Sequence, residues 1–243
     1  MDTYRRPELP RLIFRDPNGS VIPYGSRWIP GSPADDSYSV VRHPERFRPL
    51  HAVARALIFH LAQKFDVDRT DGGPGSMTNR FFGSADIVET VLLQPRQATG
   101  APVAFAFTAY PGVRAAAGLL SEFSFPTCGC DACDEGVEGL AEQMEQKVFA
   151  VARGCFMEIL ELGGNASMRI WGDDWGNGET SNTRREMSRA ERTHVRRTLK
   201  ALPEQRWQPW ATAAGTVVED ADGKYEVAPP EPLPTGSIPT PTG

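Results

Sequence analysis

Three closely spaced cysteines, Cys128, Cys130 and Cys133, are the residues whose type and spacing could do chemistry. They form a C-x-C-x-x-C pattern, and a tight turn at Gly129 would let the neighbouring side chains fold inward so that three thiols converge. Zinc takes four ligands in a tetrahedron, with sulfur at about 2.3 Å. The sequence therefore predicts a metal site at Cys128, Cys130 and Cys133, with zinc as the candidate ion.

A fourth ligand is not obvious from the sequence. Cys155 is excluded if the following helix is continuous, because a rise of about 1.5 Å per residue from residue 136 would place it roughly 28 Å along the axis. Cys155 also falls on the apolar stripe of that helix, so it is expected to act as a small core hydrophobe. The remaining candidates are three acids of the same segment, a histidine, of which His43 is the best placed, or a solvent molecule. The acids are Asp131, Asp134 and Glu135.

Two other interpretations of the cysteine cluster stay open. A redox pair, Cys130 and Cys133, at the start of a helix is chemically sensible, because the helix dipole lowers the pKa of a thiol. Against it, the neighbouring acids oppose thiolate formation unless a cation compensates, and no βαβ unit surrounds the pair. The third interpretation is an inert loop whose acids serve the start of the helix.

The elements that must position the cluster can be read from hydrophobic periodicity. Apolar residues at helical spacing predict a first helix over residues 49–65 and a longer second helix over residues 136–162. Between them, turn signals divide residues 86–125 into three antiparallel strands. A short strand over residues 167–171 and a third helix with a capping box at Ser188 follow. We expect an α+β fold in which a small antiparallel sheet packs against two main amphipathic helices.

The remaining segments show less hydrophobic periodicity. Residues 1–40 are rich in proline and are predicted to form an extended N-terminal arm beside a single domain over residues 41–217. The polar stretches 66–76 and 172–182 are predicted to be loops. Residues 218–243 are acidic and then proline-rich, with too few large apolar side chains to offset the entropy of ordering, so a disordered tail is expected.

Composition narrows the choice of partners. The 243 residues carry a formal net charge of −5, which gives no global basic field for nucleic acid. A basic face after residue 184 could bind phosphates, but such faces are usually only solvated, so nucleic acid is not the expected partner. No apolar run approaches the roughly 18 residues that span a bilayer, and no signal peptide is recognisable, so no membrane is expected and the cytoplasm is the expected location. The basic face comprises Arg185, Arg189, Arg192, Arg196 and Lys200.

Three stretches of the chain resemble a known family. They begin at Tyr38-Ser39-Val40-Val41 with His43-Pro44-Glu45-Arg46-Phe47, continue at Phe107-Thr108 with Pro111-Gly112-Val113, and end at Phe125-Pro126 with the cysteine segment 128–135. Together they resemble an actinobacterial family, domain of unknown function 6226, over about residues 20–210. The resemblance implies one coherent cytosolic domain and brings no activity, cofactor or catalytic residue.

Two functions are weighed on this basis. The first is a non-catalytic cytosolic protein in which Cys128, Cys130 and Cys133 hold a structural zinc and the surface binds an unidentified protein or small molecule. The second is a metal- or thiol-dependent enzyme that uses the same loop as an open site, with a nearby acid as general base. Coordination separates them, because a structural zinc site is closed by four ligands whereas a catalytic site keeps one position open.

Overall fold

A five-stranded antiparallel sheet and two helices organise the protein. The computed structural model describes residues 4–73, 86–161, 165–173, 175–181 and 187–213, with only the backbone of residues 177–181. In chain order the strands and helices are β1 (Phe14–Arg15), β2 (Val21–Ile22), α1 (Pro49–Lys64), β3 (Val67–Gly72), β4 (Ile87–Pro95), β5 (Val103–Thr108), β6 (Val113–Ala117), β7 (Ser121–Phe125), α2 (Val137–Ala152), β8 (Phe156–Leu160), β9 (Ala166–Trp171), β10 (Gly176–Ser181) and α3 (Arg189–Ala201).

The predicted α+β class is confirmed. Strands β3 to β7 pair in sequence order as an antiparallel meander, β8 to β10 form a second antiparallel sheet, and β1 pairs with β2. Helices α1 and α2 contact each other and lie against the meander. Their apolar faces enter one core with Phe105 and Phe107 of β5, both fully buried. None of the described helices combines the length and the apolar character needed to cross a bilayer.

The prediction of three strands between residues 86 and 125 was wrong, because the structure has four, β4 to β7. The additional turn, between β6 and β7, follows Gly118 and has no strong turn sequence. Glu158, a residue distant in sequence, stabilises this turn. Its buried carboxylate accepts the backbone N–H groups of Leu119 and Leu120 at 2.9 and 2.8 Å. A turn stabilised by a distant side chain leaves no local signal.

The predicted second helix was too long. Helix α2 ends at Ala152, and residues 156–160 form β8, in which buried and more exposed side chains alternate. Gly154, with φ +73°, makes the change of direction, and a Cβ there would lie 2.5 Å from the backbone nitrogen of Pro209. Since Cys155, just before β8, and Ile159 within it continue the helical spacing, periodicity alone could not place this boundary. Cys155 packs half-buried against the core, as expected of a small hydrophobe.

The two predicted polar loops were wrong in part, because each contains an edge strand. Strand β3 is polar and mostly exposed, as is common for an edge, and β10 pairs with β9. The predicted capping box is confirmed, because the Ser188 hydroxyl accepts the N–H of Glu191 and the Glu191 carboxylate accepts the N–H of Ser188. The predicted strand over residues 167–171 corresponds to β9.

The N-terminal segment lies on the fold and is fastened to it. Tyr4 donates a hydrogen bond to Glu145 of α2 at 2.7 Å, and Arg6 forms an ion pair with the same carboxylate. Farther along, β1 and β2 form a short hairpin around Gly19. The division into an arm over residues 1–40 and a domain over residues 41–217 stays a prediction, and the predicted disordered tail, residues 218–243, lies outside the described residues.

The end of α2 near residue 154 can be tested by substituting two glycines, one in the turn after the helix and one within it. Gly154→Ala should lower the free energy of unfolding by roughly 2–3 kcal/mol, because a side chain at positive φ is strained and this one meets the backbone of Pro209. Gly139→Ala should leave stability unchanged or raise it by roughly 0.5 kcal/mol, because Gly139 is helical with open space around it. Urea unfolding measures both, and equal effects would contradict the boundary.

Candidate metal centre

The cysteine loop, residues 126–136, connects β7 to α2. Gly129 has φ +80°, and a Cβ there would lie 2.3 Å from the Tyr110 hydroxyl oxygen, so only glycine fits this turn. The turn brings the Sγ atoms of Cys128, Cys130 and Cys133 within 4.8 Å of one another. Tetrahedral zinc would hold sulfurs roughly 3.8 Å apart, which small side-chain movements reach. The three cysteines are thus close enough to hold a metal ion, as the sequence predicts.

The three thiols differ in environment. Cys130 is buried, whereas Cys128 and Cys133 are exposed. Burial alone would raise the pKa of Cys130, but the backbone N–H of Cys133 and the thiol of Cys128 act in the opposite direction, and the net pKa is lowered to about 7. Interaction with the Cys128 and Cys130 sulfurs raises the pKa of Cys133 to about 12. Cys130 therefore ionises at a lower pH than Cys133.

Glu135 determines the shape of the cysteine loop. Its carboxylate accepts the backbone N–H groups of Thr127, Cys128 and Gly129 at 2.9, 3.0 and 2.8 Å. Three donors on one carboxylate hold the first half of the loop in a single conformation. This candidate for the fourth ligand is therefore already engaged with the backbone.

Asp131 is the buried anchor of the loop, with none of its surface exposed. Its carboxylate lies 2.8 Å from the Arg42 guanidinium, 3.5 Å from Arg27 and 3.9 Å from Arg46, and it accepts the Tyr24 hydroxyl at 3.3 Å. Burial alone would raise the pKa of Asp131, but hydrogen bonds from Arg42 and the charge of Arg46 hold it below its ordinary value. Asp131 is therefore ionised, and its charge fixes the loop to other parts of the fold.

The partners of Asp131 all come from residues 24–46, here called the clamp segment. The same segment contacts the loop through its backbone, since the N–H of Asp131 donates to the Val40 carbonyl at 2.7 Å. Asp134 accepts the N–H groups of Gly25 and Arg27 at 3.0 and 2.7 Å. All three acids that the sequence offered as a fourth ligand thus have other partners.

The histidines lie away from the thiols. His43 Nδ1 is 3.1 Å from a Glu45 carboxylate oxygen, and the ring stacks near Phe14. His51 Nε2 lies 2.9 Å from the Gly112 carbonyl, and His60 packs in an aromatic cluster. All four histidines and all four cysteines of the chain belong to the described residues. Within that part of the chain, no fourth His, Cys, Asp or Glu joins Cys128, Cys130 and Cys133.

Two residues next to the loop, Arg46 and Tyr110, were not named as site residues in the sequence analysis. Arg46, only 3% exposed, donates from Nη2 to the Gly129 carbonyl at 2.8 Å. The Tyr110 hydroxyl is buried and has no hydrogen-bond partner among the described residues, and burial raises its pKa above the ordinary value. Arg46 lies within the family motif His43 to Phe47, so the sequence did contain an indication of its importance. Nothing in the sequence singles out Tyr110.

An open cavity of about 330 Å³ lies beside the cluster. Cys128 forms part of its wall, together with Tyr110 and the end of β7. Its lining residues are Asp86, Thr108, Tyr110, Gly112, Val113, Arg114, Ser124, Phe125, Pro126, Thr127 and Cys128. A small molecule in this cavity would contact the cluster from the Cys128 side.

The fold and the site define an α+β protein with a three-cysteine cluster able to hold a metal ion. The chain belongs to the family described as "Family of unknown function (DUF6226)", whose sequence profile matches residues 10–214. Comparisons with curated proteins and with solved structures give no significant match. Family membership thus supports one folded unit around the cysteine loop and assigns it no activity.

The Asp131 anchor can be tested by removing its charge. Asp131→Asn should lower the free energy of unfolding by about 3 kcal/mol, because it leaves arginines around a buried site without their carboxylate. Asp36→Asn removes the same charge from an exposed position of the clamp segment and should change stability by less than about 0.5 kcal/mol. Urea unfolding compares the two variants. A small effect at both positions would show that Asp131 does not anchor the loop.

Proposed function

We propose that the protein binds one zinc ion through Cys128, Cys130 and Cys133. The convergence of three sulfurs within 4.8 Å carries this proposal. Thiolates are soft ligands that select zinc, copper(I) or iron–sulfur clusters, and zinc is commonly bound by cysteine sulfurs in proteins. The ion would supply a cation in direct contact with the thiolates.

The charge distribution around the loop supports the same proposal. Three thiolates on Zn²⁺ carry a net charge of −1, and the cationic Arg46 guanidinium lies under the loop, bonded to the Gly129 carbonyl. The buried carboxylate of Asp131 also has Arg42 and Arg27 within ion-pair distance. The surroundings therefore include a fixed positive charge that an anionic metal centre would use.

Hydrogen bonds and ion pairs hold the loop in addition to any metal ligation. Glu135 fixes its first half, and Asp131 and Asp134 fix its second half to the clamp segment. A purely structural zinc usually supplies folding energy that the chain lacks, and it is closed by a fourth protein ligand. Both considerations favour the second hypothesis of the sequence analysis, in which the loop is an open site, over a closed structural zinc.

Location and partners follow from the same chemistry. We place the protein in the cytoplasm, where a cluster of free thiols with two exposed members stays reduced. A small molecule is favoured as the partner because the cavity borders Cys128. Nucleic acid is not favoured, and Arg196 of the basic face already donates to the Glu161 carbonyl at 2.7 Å.

Elemental analysis of the purified full-length chain tests the proposal. We expect about one zinc per chain, and Cys130→Ser should weaken zinc affinity by more than about 100-fold, since the loss of an outer-shell partner alone costs 10–100-fold. Cys155→Ser is the matched control, because Cys155 lies outside the cluster and should retain the ion.

Two results would contradict the proposal. One is a purified chain without metal in which added zinc leaves the accessibility of all four thiols unchanged. The other is a disulfide between two of the cluster cysteines that forms reversibly and excludes zinc, which would favour redox chemistry.

A further inference from the structure

The proposed zinc has a fourth coordination position. What fills it rests on the proposed function and makes that function more specific. Three protein sulfurs leave one tetrahedral position to fill. Every histidine and cysteine of the chain is placed, and the three acids of the loop, Asp131, Asp134 and Glu135, are engaged with other partners. Among the described residues no fourth His, Cys, Asp or Glu joins the three sulfurs, so we take the ligand that completes the tetrahedron to come from solvent or from a bound molecule.

The cavity beside Cys128 gives such a ligand access. Its volume of about 330 Å³ is at the lower end of the usual range for small-molecule sites. One wall is rigid, because the Thr108 hydroxyl donates to the Gly112 carbonyl at 3.0 Å across the turn between β5 and β6. Cys128 on the other side is exposed. A molecule entering this cavity therefore contacts the cluster at Cys128.

Tyr110 lines this cavity, and its side chain places a polar group next to the loop. Its hydroxyl oxygen lies against Gly129, so closely that a Cβ on that glycine would be 2.3 Å away. The ring packs against Phe47, with centroids 6.2 Å apart, which holds the hydroxyl in place. A buried hydroxyl without a partner is costly, so its presence beside the three thiols calls for an acceptor.

We propose that the cavity beside Cys128 admits a small oxygen-donor ligand to the fourth position of the metal, and that the Tyr110 hydroxyl donates a hydrogen bond to this ligand. The ligand must have one oxygen lone pair for zinc and a second for Tyr110. A carboxylate satisfies both requirements with its two oxygens, and a water or hydroxide does so with one. Cobalt(II) in place of zinc makes the fourth ligand visible, because its absorption spectrum reports the ligand set.

The experiment loads the full-length chain with one equivalent of cobalt(II) and follows its visible absorption. In one arm acetate is added at constant pH, and in the other the pH is raised without acetate to deprotonate bound water. The wild-type spectrum should change in at least one arm. Tyr110→Phe keeps the ring and removes only the hydroxyl, so it should bind cobalt normally but weaken acetate binding about tenfold, or shift the water transition upward by about one pH unit.

Two matched variants complete the test. Tyr38→Phe removes an exposed hydroxyl on the clamp segment and should behave as wild type. Ser124→Tyr places a bulky side chain in the cavity wall and should weaken acetate binding while cobalt still binds. An acetate effect lost in Tyr110→Phe identifies a carboxylate ligand, and a shifted pH transition alone identifies water or hydroxide.

The outcomes separate this inference from the function on which it rests. If cobalt binds with a thiolate spectrum but neither acetate nor pH changes it, or if Tyr110→Phe matches wild type in both arms, the inference is overturned and the metal site stands. If cobalt gives no thiolate spectrum, the proposed function itself fails.

Discussion

The buried charge of Asp131 is the constraint on which the cysteine loop depends. A carboxylate without exposed surface is stable only when cations and hydrogen-bond donors replace its water, and here the donors come from residues 24–46. Satisfying Asp131 therefore forces the clamp segment onto the loop. The position of Cys130 and Cys133, on either side of this anchor, follows from that contact.

The arrangement separates the fold from the metal chemistry. The meander and helices α1 and α2 form the apolar core, whereas the loop between β7 and α2 is held by carboxylates at Asp131, Asp134 and Glu135. A loop already held in this way loses little conformational entropy when an ion binds. These carboxylates hold the backbone, and among the described residues none of them joins the three sulfurs.

Local patterns predicted the elements that are determined locally. Helix α1, the capping box at Ser188 and the three thiols follow from periodicity or from residue spacing. The end of α2 could not be predicted, because Gly154 turns there against Pro209, far along the chain. The β6–β7 turn depends in the same way on Glu158, and Asp131 depends on arginines of the clamp segment. These contacts join residues distant in sequence, so a single sequence shows both partners without showing that they meet.

The central claim is that three sulfurs of one loop converge on one ion. X-ray absorption spectroscopy at the zinc edge, on the full-length chain loaded with one equivalent of zinc, measures this directly. The account predicts three sulfur neighbours at about 2.3 Å and one oxygen neighbour at about 2.0–2.2 Å. A first shell made mainly of nitrogen and oxygen, or no retained zinc, would contradict it.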